Sequence, residues 1–354
     1  MEAAEQEIKL TQYSHGGGCG CKIAPSVLEE ILKTNTPQAR YDNLLVGNSS
    51  NDDAAAYDLG NGTALIATTD FFTPIVDDPF DFGRIAAANS ISDVYAMGGR
   101  PIMAIAILGW PVEKIPVAIA QQVLEGARAV CADAGIPLAG GHSIDTTDPV
   151  FGLAVNGLCD IENLKRNNTA REGDFLFLTK PVGVGILATA LKRGVLSAEH
   201  LKVLINQLTQ INKIGEALGH ISGVTAMTDV TGFGLVGHLV EMAEGSGLSA
   251  ELYYSQIQVA DGVKEYMAQK IGPDATFRNW NGYGNKIAFD AGVDVMEAFS
   301  LLPDPQTNGG LLIAVDKEAK DEVIELLRQN DLERFIQPIG RITAKGGKVI
   351  VVKQ

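Results

Sequence analysis

Residues 14–22, SHGGGCGCK, place two cysteines, a histidine and a lysine among four glycines. A cationic neighbour such as Lys22, or His15 when protonated, lowers a thiol pKa and attracts anions, so Cys19 or Cys21 could serve as a reactive thiolate. The glycines would let such an arm fold over a substrate and withdraw. Structural zinc needs four ligands, normally from two short clusters, but Cys131 and Cys159 lie in apolar contexts where cysteine acts as a small hydrophobe. A redox pair usually has C-x-x-C spacing, which C-x-C does not match. A Walker loop starting at Gly16 would require glycine where Cys21 stands, and no dinucleotide glycine fingerprint follows the first strand. Composition alone leaves open an inert N-terminal tail.

The aspartates carry the second signal. NDDAAAYDLGNGTALIATTDFF (51–72) reads as two strands around a Gly60-Asn61-Gly62 turn. Pairing outward from Asp58 and Thr63 sets Asp53 near Thr68 and Asp70 near Asn51, with opposed residues about 4.5–5.5 Å apart. Asp52, Asp53 and Asp70 would then gather at one end of the hairpin. Crowded carboxylates suit Mg²⁺, which commonly binds one or two carboxylates plus substrate phosphates. A solvated strand start is the competing reading for Asp52 and Asp53. Asp93 falls in the small-residue helix stretch AAANSISD, where a backbone or ligand can approach closely; an exposed helix position is its alternative. Asp229 could cap a helix starting near Thr231 or hold a metal. Gly232 and Gly234 would bare that helix's N–H groups to a phosphate. GGHS (140–143) reads as a glycine loop at a strand end, able to offer N–H groups to phosphate or ribose.

Alternating helical and strand patterns should position these residues. Helices are expected from Ser26, over 81–97, 114–134, near 184–193, across 200–220 and just after Asp229. PIMAIAIL, VFGLAVNGLC, FLFLTK, QTNGGLLIAV and GGKVIVVK read as strands. The polar stretch 162–174 is the expected domain boundary. The resulting organisation is an arm at 1–24, an N-terminal domain at 25–161 and a C-terminal domain at 172–354, both of α/β type. The chain has 354 residues, a net charge of −15 and 46% hydrophobic residues. That length supports two cores, and the acidic balance argues against nucleic acid as partner. No apolar stretch is long enough to span a bilayer, and the N-terminus lacks a signal-peptide core, so a reducing cytoplasm is expected.

In order, HGGGCGCK, NDDAA, TTDFF, NSISDVYAMGG, LAGGHSID, AMTDVTGFGLVGH and DPQTNGGLL closely resemble the selenophosphate synthetase (selenide, water dikinase) family. The aspartate blocks are shared more loosely with aminoimidazole ribonucleotide synthetase, thiamine-monophosphate kinase and a hydrogenase-maturation enzyme. The resemblance implies an α/β (α+β), two-domain synthetase-like fold. Its N-terminal sheets pair in a dimer barrel, its C-terminal domain is an α/β sandwich-like unit, and a flexible Gly-rich arm precedes both. It also implies an enzyme that makes selenophosphate from selenide, water and ATP, releasing AMP and orthophosphate. Carried onto this sequence, it makes Cys19 and Lys22 catalytic. It assigns Lys22, Ser50, Asn51, Asp52, Asp70, Asp93, Gly141, His142 and Ser143 to ATP, and Asp53, Asp93 and Asp229 to Mg²⁺, more than one ion. A monovalent cation, a homodimer and a selenium-delivery protein belong to the same set of expectations. Asn51 stands where a basic residue is expected, Asn308 where the family has Ser, and Gly17 where Ala is common.

Overall fold

The structure, a computed structural model, describes residues 8–14, 16–21, 23, 25–33, 41–48 and 51–354. His15, Lys22 and Ser50 lie outside the described residues, as do the side chains of Cys19 and Cys21. Two sheets organise the chain. The first contains β1 (Leu44–Val46), β2 (Ala55–Asp58), β3 (Thr63–Phe72), β4 (Arg100–Trp110), β5 (Leu138–Asp145) and β6 (Val150–Asp160), in the order β1-β2-β3-β6-β4-β5. Its helices are α1 (Pro25–Leu32), α2 (Pro79–Ala96) and α3 (Val117–Asp133).

The second sheet comprises β7 (Phe175–Leu178), β8 (Val224–Asp229), β9 (Ser249–Tyr253), β10 (Ile287–Phe289), β11 (Leu311–Val315), β12 (Gly340–Thr343) and β13 (Ile350–Lys353). They run in the order β10-β13-β9-β12-β7-β11-β8. With them come α4 (Val184–Lys192), α5 (Ala198–Thr209), α6 (Ile214–Gly219), α7 (Gly234–Gly245), α8 (Val263–Ala268), α9 (Asp274–Tyr283), α10 (Val295–Leu301) and α11 (Lys320–Gln329). The expected α/β class is therefore present in both halves. Among the described residues, no helix is long and apolar enough to cross a membrane.

Helix α2 is the hub. Asp78 caps it by accepting the Asp81 N–H at 2.8 Å, and Pro79 takes the first turn, where no N–H is needed. Every residue from Ile85 to Ala96 is buried. The small side chains make this possible: a Cβ on Gly83 would fall 1.8 Å from the Val123 carbonyl oxygen of α3, and one on Gly126 would fall 1.9 Å from that of Phe80. The close approach along this helix is made by α3, at Gly83.

The first sheet has two unlike faces. Alternate residues of β3 point to α2, where Ala64, Ile66 and Phe72 are buried. The opposite face carries Tyr57, Phe71, Met103, Ile105 and Ile144, all exposed. Cross-strand register puts these on one side, with Tyr57 beside Leu65, Met103 in line with Ala67, and Ile105 in line with Thr69.

The β2–β3 hairpin corrects the expected register by one residue. Asp58 opposes Ala64, not Thr63. The loop closes through Leu59 N–H to the Thr63 carbonyl at 3.0 Å, leaving three residues in the turn with Gly60 and Gly62 at positive φ.

Candidate active site

Asp52 and Asp53 sit just ahead of β2, on a bend that starts at Asn51 in the left-handed region (φ 49°), which asparagine tolerates better than most residues. The bend is held from the second half of the chain. Asn167 donates its side-chain amide to the Asn51 carbonyl at 2.7 Å and its backbone N–H to Asp52 Oδ1 at 3.1 Å. Thr228, next to the end of β8, donates its hydroxyl to Asp53 Oδ1 at 2.7 Å. Asp229 follows it, 1% exposed. Asp93 comes from α2, 8% exposed, and accepts the Thr68 hydroxyl at 2.5 Å. Asp70 accepts the Asn89 amide at 2.5 Å, also from α2.

These carboxylates feel one another's charge. Burial raises the Asp53 carboxyl well above the usual range, and Asp229, Asp52 and Asp93 push it further. Burial also takes Asp52 up to about 6, against the pull of the Asn167 and Asp53 N–H groups and Arg166. Asp52 Oδ2 and Asp53 Oδ2 are shut off from solvent without a hydrogen-bond partner among the described residues. An isolated buried carboxylate is costly, and a cation is the usual remedy. Among the described residues, no three His, Cys, Asp or Glu side chains stand close enough to cage an ion alone. Open oxygens offered without a closed cage suit Mg²⁺, which keeps waters and takes substrate phosphates into its shell.

Several expectations are corrected here. Asp70 lies within β3, opposite Leu153 of β6, and is not at a strand end. Asp93 is buried, which removes the exposed alternative weighed for it. Asp229 ends β8 opposite Leu311 and caps no helix, because α7 begins only at Gly234. The N-terminus of α7 offers little to a phosphate: Val236 N–H donates to the Leu302 carbonyl, and Gly234 packs against Pro303. GGHS is no loop. Gly140 to Ser143 lie inside β5, where an extra residue relative to β4 makes a bulge between Leu138 and Gly141. A Cβ on Gly141 would meet the Ala106 carbonyl oxygen at 2.2 Å, so strand packing explains this glycine. Strand β5 is the far edge of the sheet, four strands from β2, or roughly 19 Å at usual spacing. The fold gathers Asp52, Asp53, Asp93 and Asp229, with Asp70 beside them on β3, and leaves Gly141, His142 and Ser143 apart within one chain.

The described part of the arm is docked. Leu10 is buried, and Thr11 donates both its N–H and its hydroxyl to Asp77 Oδ1. Cys19 lies within a 3₁₀ turn, Gly18–Cys21, whose Gly18 N–H donates to the Thr73 carbonyl at 3.0 Å. Cys131 and Cys159 stay apart from it; burial pushes each thiol up to about 11.

Sequence reasoning missed the groups that fix the carboxylates: Thr68, Asn89, Asn167 and Thr228. It also missed Lys180, 3% exposed beyond β7, which donates to the Gln210 and Asn308 carbonyls at 2.6 and 2.9 Å. Burial lowers its ammonium to about 7 while Asp229 pulls it back up. A lysine directly after the apolar run FLFLT was the available signal.

Residues 51–159 match the family model for the AIR synthase related protein N-terminal domain, and residues 171–353 match that for its C-terminal domain. A protein of Aeromonas hydrophila named selenide, water dikinase is 53% identical over 346 residues, covering 97% of this chain and 98% of its own. The chain belongs to the selenide, water dikinase family. A member from Cronobacter sakazakii is 54% identical over 350 residues, covering 98% and 99% of the two chains. More distant structures share the fold of this dikinase family. Thiamine-monophosphate kinase from Stenotrophomonas maltophilia superposes with a TM-score of 0.64 at 20% identity, covering 88% of this chain and 91% of that one. The hydrogenase maturation protein HypE in complex with ATP gives 0.65 at 17% identity, covering 97% and 93%.

Proposed function

We propose that this chain converts selenide, ATP and water into selenophosphate, AMP and orthophosphate. The observation that carries the reading is the convergence of Asp52, Asp53, Asp93 and Asp229 from both halves of the chain, with two buried carboxylate oxygens left open. Reaching AMP breaks both phosphoanhydride linkages. One phosphoryl group ends on selenium, the other on a water oxygen, and AMP leaves with the α-phosphate. Such chemistry depends on positioning and on neutralising phosphate charge.

In this reading Asp53, Asp93 and Asp229 would hold Mg²⁺, more than one ion, which when bound would supply charge neutralisation to the phosphates. Ser50, Asn51, Asp52 and Asp70 face the nucleotide. Lys22 pairs with a phosphate and favours the thiolate of Cys19, which carries or orients selenium. Residues 25–161 bind Mg·ATP and dimerise, residues 172–354 complete the pocket from Asp229 and Thr228, and residues 1–24 form the arm. The cytoplasm is the compartment. A selenium-delivery protein would supply the substrate, and a monovalent cation would assist.

The assembly we propose is a homodimer through the outer face of the first sheet. Tyr57, Phe71, Met103, Ile105 and Ile144 give that face its apolar surface, and uncovered apolar sheet faces mark association sites. Dimerisation also resolves the position of Gly141, His142 and Ser143. On an edge strand remote from their own carboxylates, they would reach the nucleotide held by the partner copy.

Chromatography of AMP formed with and without selenide tests the assignment in the intact protein. Cys19→Ser should abolish selenide-dependent AMP release, and Cys21→Ser should retain most of it. Full activity in Cys19→Ser would overturn the role given to that thiol.

A further inference from the structure

We propose that Lys192 and Arg278 are positioning residues that clamp the cysteine-bearing arm from both sides and thereby set the geometry of turnover; this rests on the function proposed above. Lys192 is the last residue of α4, and its Nζ donates to the Ser14 carbonyl at 2.9 Å and to the Gly16 carbonyl at 3.4 Å. Arg278, on α9, donates Nη2 to the Gly20 carbonyl at 2.7 Å. Cys19 thus lies between two cation-to-carbonyl contacts, one upstream and one downstream.

Between the clamps the backbone is closely fitted at Gly18. Gly18 sits at φ +55°, and a Cβ there would meet Thr307 Oγ1 at 2.5 Å and Ile75 Cδ1 at 2.6 Å. Its N–H is spent on Thr73. A stretch of glycines has almost no side-chain surface to pack and loses more entropy on ordering than other sequence does. Contacts to its carbonyls are therefore the main means of holding it, and a charged donor makes the stronger bond. Both clamps come from the second half of the chain, whereas Thr73 and Asp77 belong to the first. The arm is the strap across the two halves, and its Gly16, Gly17 and Gly20 line a cavity of about 380 Å³ with Lys192, Arg278 and Thr307. The C-terminal end of α4 favours a cation there, which holds Lys192 in place. Lys192 and Arg278 sit on α4 and α9, which carry none of the four carboxylates.

The test uses full-length Lys192→Met, Arg278→Met and the double variant. Hydrogen–deuterium exchange should accelerate about tenfold or more at residues 16–21, with α2 and β3 unchanged. The kcat for selenide-dependent AMP release should fall about tenfold per clamp, with the Mg²⁺ dependence of turnover unchanged. Lys192→Arg should restore both exchange and kcat. Wild-type exchange and kcat in the double variant would overturn the proposal, as would a loss of kcat that Lys192→Arg does not restore. If the wild-type protein releases no AMP in response to selenide, the functional reading fails, and the exchange result still judges the clamp.

Discussion

Asp304→Asn offers a quantitative test of how the 304–308 loop is built. Asp304 is fully buried and stands in for a missing helix cap. Gly183 precedes α4 at φ +113° with no side chain, so Asp304 Oδ2 accepts the Gly185 N–H at 2.9 Å, and Gln306 Oε1 accepts that of Val184 at 3.2 Å. Gln306 also donates to Asp304 Oδ2 at 2.9 Å, while Oδ1 has no partner among the described residues. Burial pushes the carboxyl from 3.8 up to about 8, despite the donors from Gln306, Gly185 and Ile186. The folded protein therefore keeps a proton that the unfolded chain releases above pH 3.8. Stability must fall as pH rises through that window, at about 1.4 kcal/mol per unit, until the folded group ionises near 8. Asparagine has the shape of the neutral acid and no such slope. Between pH 6 and pH 8 the wild-type protein should lose roughly 2–3 kcal/mol relative to Asp304→Asn. Urea unfolding followed by circular dichroism at the two pH values measures the difference. Asp52 and Lys180 also titrate in this range, but they are common to both proteins and cancel. A gap that stays constant with pH, or widens in favour of the wild type at pH 8, would refute the reasoning.

Two further outcomes follow from the geometry. Asp53→Asn should reduce Mg²⁺-dependent turnover by about a hundredfold or more while leaving metal-free stability unchanged or raised, because it removes a buried charge from a crowd of like charges; turnover and urea unfolding in a chelator measure the two. Phe71→Glu combined with Ile105→Glu should halve the mass seen by light scattering and abolish turnover, since both side chains lie on the exposed apolar sheet face; a wild-type mass in that variant would place the dimer contact elsewhere.

Much of the fold was legible because periodicity reports burial on a single face. The helix expected at 81–97 is α2 with its start two residues earlier, and the strands expected around the glycine turn are β2 and β3. The register slipped because either three or four residues can close that turn, and only the Leu59–Thr63 pair decides between them. Strands β1, β8, β9, β10 and β12 were missed; runs of three to six residues carry too little pattern. For the site, residue type pointed to Asp53, Asp93 and Asp229 but misjudged their surroundings. Asp229 looked like a cap because Thr231 and the following glycines imitate a helix start; the structure continues β8 to that point and starts α7 later. Gly141 resembled a phosphate loop because a bulged edge strand and a turn both select glycine. The clamps on the arm were invisible because Lys192 and Arg278 bond to backbone carbonyls, which leave no mark on the sequence of the arm.

The central claim is the formation of a phosphorus–selenium bond at the expense of ATP. Phosphorus NMR of the wild-type protein with Mg·ATP and selenide under anaerobic conditions observes it directly. The account predicts a new resonance with selenium satellites, growing in step with AMP and orthophosphate, and absent when selenide is omitted. Conversion of ATP to ADP with no phosphorus–selenium signal would contradict it.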